Sequence, residues 1–242
     1  MNSDKYDIII EESTFDKILF IPLSDFLIPY FYFFRISPNS VTFFSSLFTL
    51  ISIYLFFFNN IYCLVFYFLG YLFDSIDGRL ARRYNLVSTL GMVLDLVSDN
   101  ITNFPLIIVF LYKSFNDFSF TKIILVSLIF ISLILFSISF GITESLSCYL
   151  ITKDDNFYNL KKEIISKSNF SNNMVMKRLA LLYLFINKSS YQSFRLVFNR
   201  KINNNNKNDF IKYLFYLKEF GPGNLNLFIL LNMFYFLISS SC

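Results

Sequence analysis

Residues 74–99 read DSIDGRLARRYNLVSTLGMVLDLVSD, four aspartates set among residues that otherwise suit a membrane-spanning helix. Asp74 and Asp77 are spaced i,i+3 and Asp95 and Asp99 i,i+4, so each pair shares one helical face. A connection of about ten residues lets the two helices run antiparallel and bring all four carboxylates to one membrane face. Each carboxylate would cost about 2.5–3.5 kcal/mol at the centre of a membrane helix, less near the interface, and the four repel one another. Retaining them requires compensating positive charge. Arg82 could offset one, and divalent cations would offset all. The chain has no histidine, and Cys63, Cys148 and Cys242 are too scattered for a paired metal motif, so acid–base and metal chemistry falls to carboxylates. Oxygen-only ligands suit Mg²⁺ or Mn²⁺, and two ions bridged by shared carboxylates fit the ligand count better than one.

Outside this stretch the chain is strongly apolar. It has 242 residues with a mean hydropathy of +0.53, including 34 Phe and 16 Tyr. Only 16% of residues are charged, against about 25% in a soluble domain, and several segments exceed the length needed to cross roughly 30 Å of hydrocarbon. The expected fold is all-α: a polytopic membrane helical bundle of five or six transmembrane helices. Its partner is the lipid bilayer, and no nucleic-acid partner is expected. The start, MNSDKYDIIIEEST, lacks the basic and apolar regions of a secretory signal and is expected on the cytoplasmic side.

Residues 15–34 mix apolar runs with Lys17, Pro22, Asp25 and Pro29, which predicts an N-terminal amphipathic helix lying in the interface. A buried helix of the bundle is the alternative. Clear spans follow at 41–58, 61–77, 91–112, 122–149 and 225–238. Lys17 and Arg35 precede the first, and Arg79, Arg82 and Arg83 lie between the second and third, whereas the loop NNIY carries no cation. The positive-inside rule therefore puts the aspartates on the cytoplasmic face. Residues 153–222 carry 13 Lys or Arg against 5 Asp or Glu and are expected to be cytoplasmic and partly helical. The apolar run 179–186 is too short to span alone, so a sixth span would need about 174–198. The tract NNNNKN (203–208) suggests a flexible loop tip. Three regions result: 1–40, the cytoplasmic N-terminus and interfacial helix; 41–152, the transmembrane core; and 153–242, the basic segment with a last transmembrane helix.

The quoted stretch resembles the signature of the CDP-alcohol phosphotransferase (phosphatidyltransferase) family, D-x2-D-G-x2-A-R-x8-G-x3-D-x3-D. It matches at Asp74, Asp77, Gly78, Ala81, Arg82, Gly91, Asp95 and Asp99. Eight fixed positions, each met by chance at roughly 5–10%, coincide with a probability on the order of 10⁻¹⁰ for a given start. The segment SPNSVT (37–42) is similar to the Pro-Asn-x-x-Thr that opens the family's first span. On residue grounds alone it is a helix start, with Ser37 as N-cap and Pro38 in the first turn.

The resemblance implies transfer of a substituted phosphate from a CDP-linked lipid donor to an alcohol, with release of CMP, in phospholipid synthesis. It implies Asp74, Asp77, Asp95 and Asp99 as metal ligands, with Asp99 also taking the acceptor's proton. Gly78, Arg82 and Asn39 would bind the donor. Arg79 and Arg83 read equally as membrane anchors or phosphate ligands. Glu144, in GITESLSCYL, stands where members often carry Arg and Glu, and is a candidate acceptor residue. The missing Arg points to an unphosphorylated acceptor. Members using CDP-choline or CDP-ethanolamine often show a His after the third aspartate, whereas this chain reads LDLVSD, which favours CDP-diacylglycerol. A CDP-choline or CDP-ethanolamine phosphotransferase acting on a lipid alcohol is the runner-up. A prenyltransferase would place its acidic motifs far apart, and a cation transporter or an inactive membrane scaffold are the readings of another kind. Members are commonly homodimers, and the resemblance extends that expectation here.

Overall fold

The structure, a computed structural model, describes residues 12–116, 120–168, 174–199, 201–218 and 221–239. The start of the chain before residue 12, Arg200 and Cys242 lie outside them. The described residues are helical throughout, with no strand among them. A π-helical turn, Asp16–Phe20, leads into α1 (Ile21–Phe33). There follow α2 (Pro38–Phe57), α3 (Cys63–Arg83), α4 (Thr89–Asn116), α5 (Phe120–Thr152), α6 (Phe157–Ser166), α7 (Met174–Val197), α8 (Lys207–Leu217) and α9 (Pro222–Ser239).

The helix ends are written locally. Ser37 caps α2, its hydroxyl accepting from the Ser40 N–H at 3.2 Å, with Pro38 in the first turn. Arg35, Asn59, Asn85 and Lys153 adopt left-handed φ of 54–61° just past the ends of α1, α2, α3 and α5. At the first three, the next N–H reaches back five residues: Ile36 to Phe31 O, Asn60 to Leu55 O and Leu86 to Ala81 O. A chain with 6 glycines uses Asn at two of these stops, where its short polar side chain tolerates the left-handed region.

The chain forms two compact units. Thr14–Ile131 with Gly223–Cys242 make one, and Met1–Ser13 with Ser132–Pro222 the other, α5 passing from one into the other. In the first unit α2 and α3 pack most closely. Small polar residues allow it: a Cβ at Gly70 would stand 2.4 Å from Thr49 Oγ1. The hydroxyls of Ser46 and Thr49 donate to carbonyls four residues back, which satisfies them within their own helix. The first helix lies against α3 around a core of Phe20, Ile28, Val41, Leu72, Ile76 and Leu80. Ser24 and Ser75 share a hydrogen bond at 3.0 Å, and the Tyr32 and Tyr84 rings stack with centroids 3.7 Å apart. Prolines 22 and 29 do not break it: Pro22 sits in the first turn of α1, and Pro29 is carried inside the helix. Its opposite face is also apolar, with Phe26, Tyr30 and Phe33 exposed.

Four stretches of the described residues are long and apolar enough to cross a membrane: Pro38–Phe57, Thr89–Asn116, Phe120–Thr152 and Lys207–Ser239, whose apolar part is α9. Their outward faces suit lipid, with Phe43, Leu47, Leu50 and Tyr54 exposed on α2 and Ile124, Leu128 and Ile131 on α5. The protein is therefore an integral membrane protein. Helix α3 has 21 residues, about 31 Å, but its last turns carry the aspartates and arginines, so it is less apolar than these four. Helix α7, the candidate sixth span, is also not among the four.

In the second unit Ile142, Leu146, Tyr149, Phe194, Ile202, Phe210 and Leu214 form the core. Asp155, almost fully buried, accepts from the Ile202 N–H at 2.9 Å and faces Arg195 at 3.7 Å. The tract 203–208 is not a loose tip. Asn203 and Asn206 hydrogen-bond each other's backbone N–H groups, Asn204 accepts from Tyr149 at 3.0 Å, and α8 starts at Lys207. Asparagine runs imply looseness by composition, but these side chains close their own turn.

Candidate metal centre

Helix α3 runs nearly two turns past Asp77 to Arg83, and five residues (84–88) return the chain into α4, fewer than the expected ten. Ser88 caps α4, accepting from the Gly91 N–H at 3.0 Å. Gly91 is needed for space: a Cβ there would meet Asn39 Oδ1 at 3.0 Å and Ser88 Oγ at 3.1 Å. The signature glycine thus brings the start of α2, with Asn39, against the start of α4.

This tight return brings together one carboxylate oxygen each from Asp74, Asp95 and Asp99, all within 4.8 Å of one another. Asp95 is exposed and the other two half-buried, so the cluster opens outward. At that separation, two carboxylates repel by roughly 3 kcal/mol at an effective dielectric constant of about 20. Ligands on opposite sides of a Mg²⁺ ion stand about 4.2 Å apart. Oxygens gathered this closely can share one hard divalent cation, and an all-carboxylate donor set suits one.

Asp77, the fourth aspartate, is placed differently. It is 5% exposed, and its Oδ2 accepts from the Thr42 hydroxyl at 2.5 Å. Thr42 is the last residue of the Pro-Asn-x-x-Thr segment, so that motif supplies a hydrogen bond to the signature as well as a helix start. Thr42→Val, which keeps the shape and removes the donor, is expected to cost about 1–3 kcal/mol of stability in a thermal melt. Ser46 and Ser98, one turn further along α2 and α4, are hydrogen-bonded to each other and hold those helices together beside the cluster.

The three arginines separate into two roles. Arg79 and Arg83 both face Asp25 of α1 at 3.8 Å, in exposed and weak pairs that tie the first helix to α3. The guanidinium of Arg82 instead lies over Gly78, where an added Cβ would meet it at 3.4 Å. Glu144 belongs to the other unit and pairs with Lys161 at 3.1 Å. Of the residues named from sequence, Asp74, Asp95 and Asp99 thus share one cluster. Asp77, Gly78 and Arg82 stand on α3 with Asp74, Asn39 stands at the start of α2, and Glu144 pairs with Lys161. Thr42 as an Asp77 partner was legible only as a motif letter. Ser46 and Ser98 carried no signal, since serines in membrane helices are commonplace.

A family model described as CDP-alcohol phosphatidyltransferase matches residues 35–191. Among curated proteins, CDP-diacylglycerol--inositol 3-phosphatidyltransferase 1 of Arabidopsis thaliana is 30% identical over 119 residues, 49% of this chain and 48% of that protein. Probable CDP-diacylglycerol--inositol 3-phosphatidyltransferase 2 of the same plant is 30% identical over 116 residues, 48% of this chain and 47% of that protein. The chain thus spans about half the length of the curated relatives it matches. No solved structure gives a significant match.

Proposed function

The chain belongs to the CDP-alcohol phosphatidyltransferase family, and on that premise we propose that it transfers the phosphatidyl group of CDP-diacylglycerol to a small alcohol, releasing CMP. The observation that carries this reading is the meeting of Asp74, Asp95 and Asp99 within 4.8 Å, at the signature's own positions. The names of the two relatives make inositol the first acceptor to try, and inositol is unphosphorylated, as the missing arginine beside Glu144 suggests.

In this reading Asp74, Asp77, Asp95 and Asp99 hold two divalent ions, Mg²⁺ or Mn²⁺. Bound ions would neutralise the donor's pyrophosphate and polarise the phosphorus under attack. Arg82 binds donor phosphate, and Asn39 holds the donor where α2 meets α4. Asp99 accepts the acceptor's proton as its oxygen bonds to the phosphatidyl phosphorus. The bond from that phosphorus to the bridging oxygen breaks, and CMP leaves with the electron pair. The basic residues at the aspartate end put the site on the cytoplasmic face, and the protein works as a homodimer.

Gly78 separates donor binding from folding. The nearest atoms to a methyl there are those of the Arg82 guanidinium, at 3.4–3.8 Å, so the folded chain has room for it. Gly78→Ala is expected to leave the melting temperature unchanged or raised, since Ala is favoured by about 1 kcal/mol in a helix, while KM for the donor rises about tenfold. Glu144 serves as an acceptor residue on the sequence resemblance alone. Glu144→Ala is then expected to raise the acceptor KM about tenfold with kcat little changed. Lost stability with an unchanged KM would make the Glu144–Lys161 pair purely structural.

The test is CMP release by the full chain in detergent with Mg²⁺ or Mn²⁺. CDP-diacylglycerol, CDP-choline and CDP-ethanolamine would each be offered with inositol and with a panel of other alcohols. Metal-dependent release from CDP-diacylglycerol alone supports the reading. Release from CDP-choline or CDP-ethanolamine would replace it with the alcohol-phosphotransferase alternative. No release from a folded protein, with metal flux through liposomes instead, would point to a transporter.

A further inference from the structure

Asp16 is a fifth carboxylate near the cluster, and the sequence motifs leave it unused. It lies in the π-helical turn Asp16–Phe20 and is 6% exposed. Such turns widen the helix and recur at functional positions. Its two oxygens have separate jobs. Oδ1 accepts from the Tyr71 hydroxyl of α3 at 2.7 Å, and Oδ2 accepts from the Gly223 N–H in the first turn of α9 at 3.0 Å. The contact is returned: Asn224 Oδ1, also in that turn, accepts from the Phe15 N–H at 3.0 Å. Two helix starts more than two hundred residues apart thus cap each other through side chains, each satisfying a donor that its own helix leaves open. Residue 223 has to be glycine for this. A Cβ there would stand 2.3–2.6 Å from the Asp16 carboxylate atoms.

Tyr71 stands three residues before Asp74 on the same helical face. One turn earlier again, Tyr67 donates to Asn226 of α9 at 2.5 Å. Helix α3 is therefore pinned on the side of Asp74 by polar ties to both ends of the unit's chain. The rotation of α3 about its axis sets where Asp74 points. A turn of about 10° moves an oxygen about 6 Å from the axis by about 1 Å. A metal site tolerates roughly 0.5 Å.

We propose that Asp16 is a positioning residue for the metal centre: by holding Tyr71 while capping α9, it fixes the rotation of α3 that aims Asp74 at Asp95 and Asp99. This rests on the reading of the aspartates as metal ligands. It extends the working site to a segment before residue 35 and a helix after residue 191, both outside the family match.

The experiment is direct titration of the detergent-purified full chain with Mn²⁺ alone, beside a thermal melt. Asp16→Ala strips the cap from α9 as well, so Tyr71→Phe, which spares the cap, is the sharper variant. Gly223→Ala displaces the carboxylate from the other side. Both are expected to raise the Mn²⁺ dissociation constant about tenfold, the low end for losing an indirect support of a ligand. The double variant should be no worse than the poorer single one, because both act through Asp16. Unchanged Mn²⁺ affinity in both variants, with lowered melting temperatures, would overturn the proposal and leave Asp16 as a plain structural staple. If the wild-type chain bound no Mn²⁺, the reading of the aspartates would itself have failed.

Discussion

Asp99→Asn is expected to reduce kcat for CMP release by about 10²–10⁴-fold, the usual contribution of a positioned general base. The substitution keeps the size of the side chain and one oxygen that can still face a cation. It removes the group that can take the acceptor's proton. No neighbour can replace it, because the chain has no histidine and the remaining aspartates of the cluster are committed as ligands in this reading. The diagnostic is the division of the effect. The donor KM should stay within a fewfold of wild type, since Arg82, Gly78 and Asn39 are untouched. Loss of activity through donor KM, with kcat preserved, would move Asp99 from proton acceptor to donor ligand.

Asp74→Ala carries the other large effect, and it has opposite signs in activity and stability. The three oxygens within 4.8 Å repel by roughly 3 kcal/mol per pair, which only a bound cation converts into attraction. With metal chelated, removing Asp74 deletes two of these repulsions. The metal-free variant should therefore melt at a higher temperature than the metal-free wild type, by several degrees. With Mg²⁺ or Mn²⁺ added, wild type should gain stability by mass action and the variant much less, so the order reverses. Activity of the variant should fall at least about 10³-fold, and chelation should silence wild type until metal is restored. Melting curves of both proteins with EDTA, and then with each metal, test the whole argument. A variant less stable than wild type in EDTA would mean that the aspartates are held by protein contacts, not by metal.

The meeting of the aspartates was legible for Asp74, Asp95 and Asp99, because its signal is local. Spacings of three and four residues define a helical face, and a short return between two helices leaves few ways to arrange four carboxylates. The start of α2 was legible for the same reason, Ser37 capping it with Pro38 in the first turn, although the return from α3 to α4 proved shorter than the spacing of the aspartates suggested. Where a reading depended on composition it fared worse. The asparagine tract closes a turn and starts α8, because hydrogen bonds from Asn203 and Asn206 are invisible to a count of polar residues.

By itself, the sequence determined the membrane-helical class and, through its signature, the family, and it brought four aspartates to one face, of which three meet. Tertiary structure alone decided that Thr42 holds Asp77 and that Arg79 and Arg83 serve Asp25. It alone decided that Asp16, Tyr71 and Gly223 join the start of the chain to its last helix. These contacts link residues with no fixed interval between them. Only the packing of helices against one another chooses such partners, because a buried carboxylate must find whatever donors the fold brings within reach.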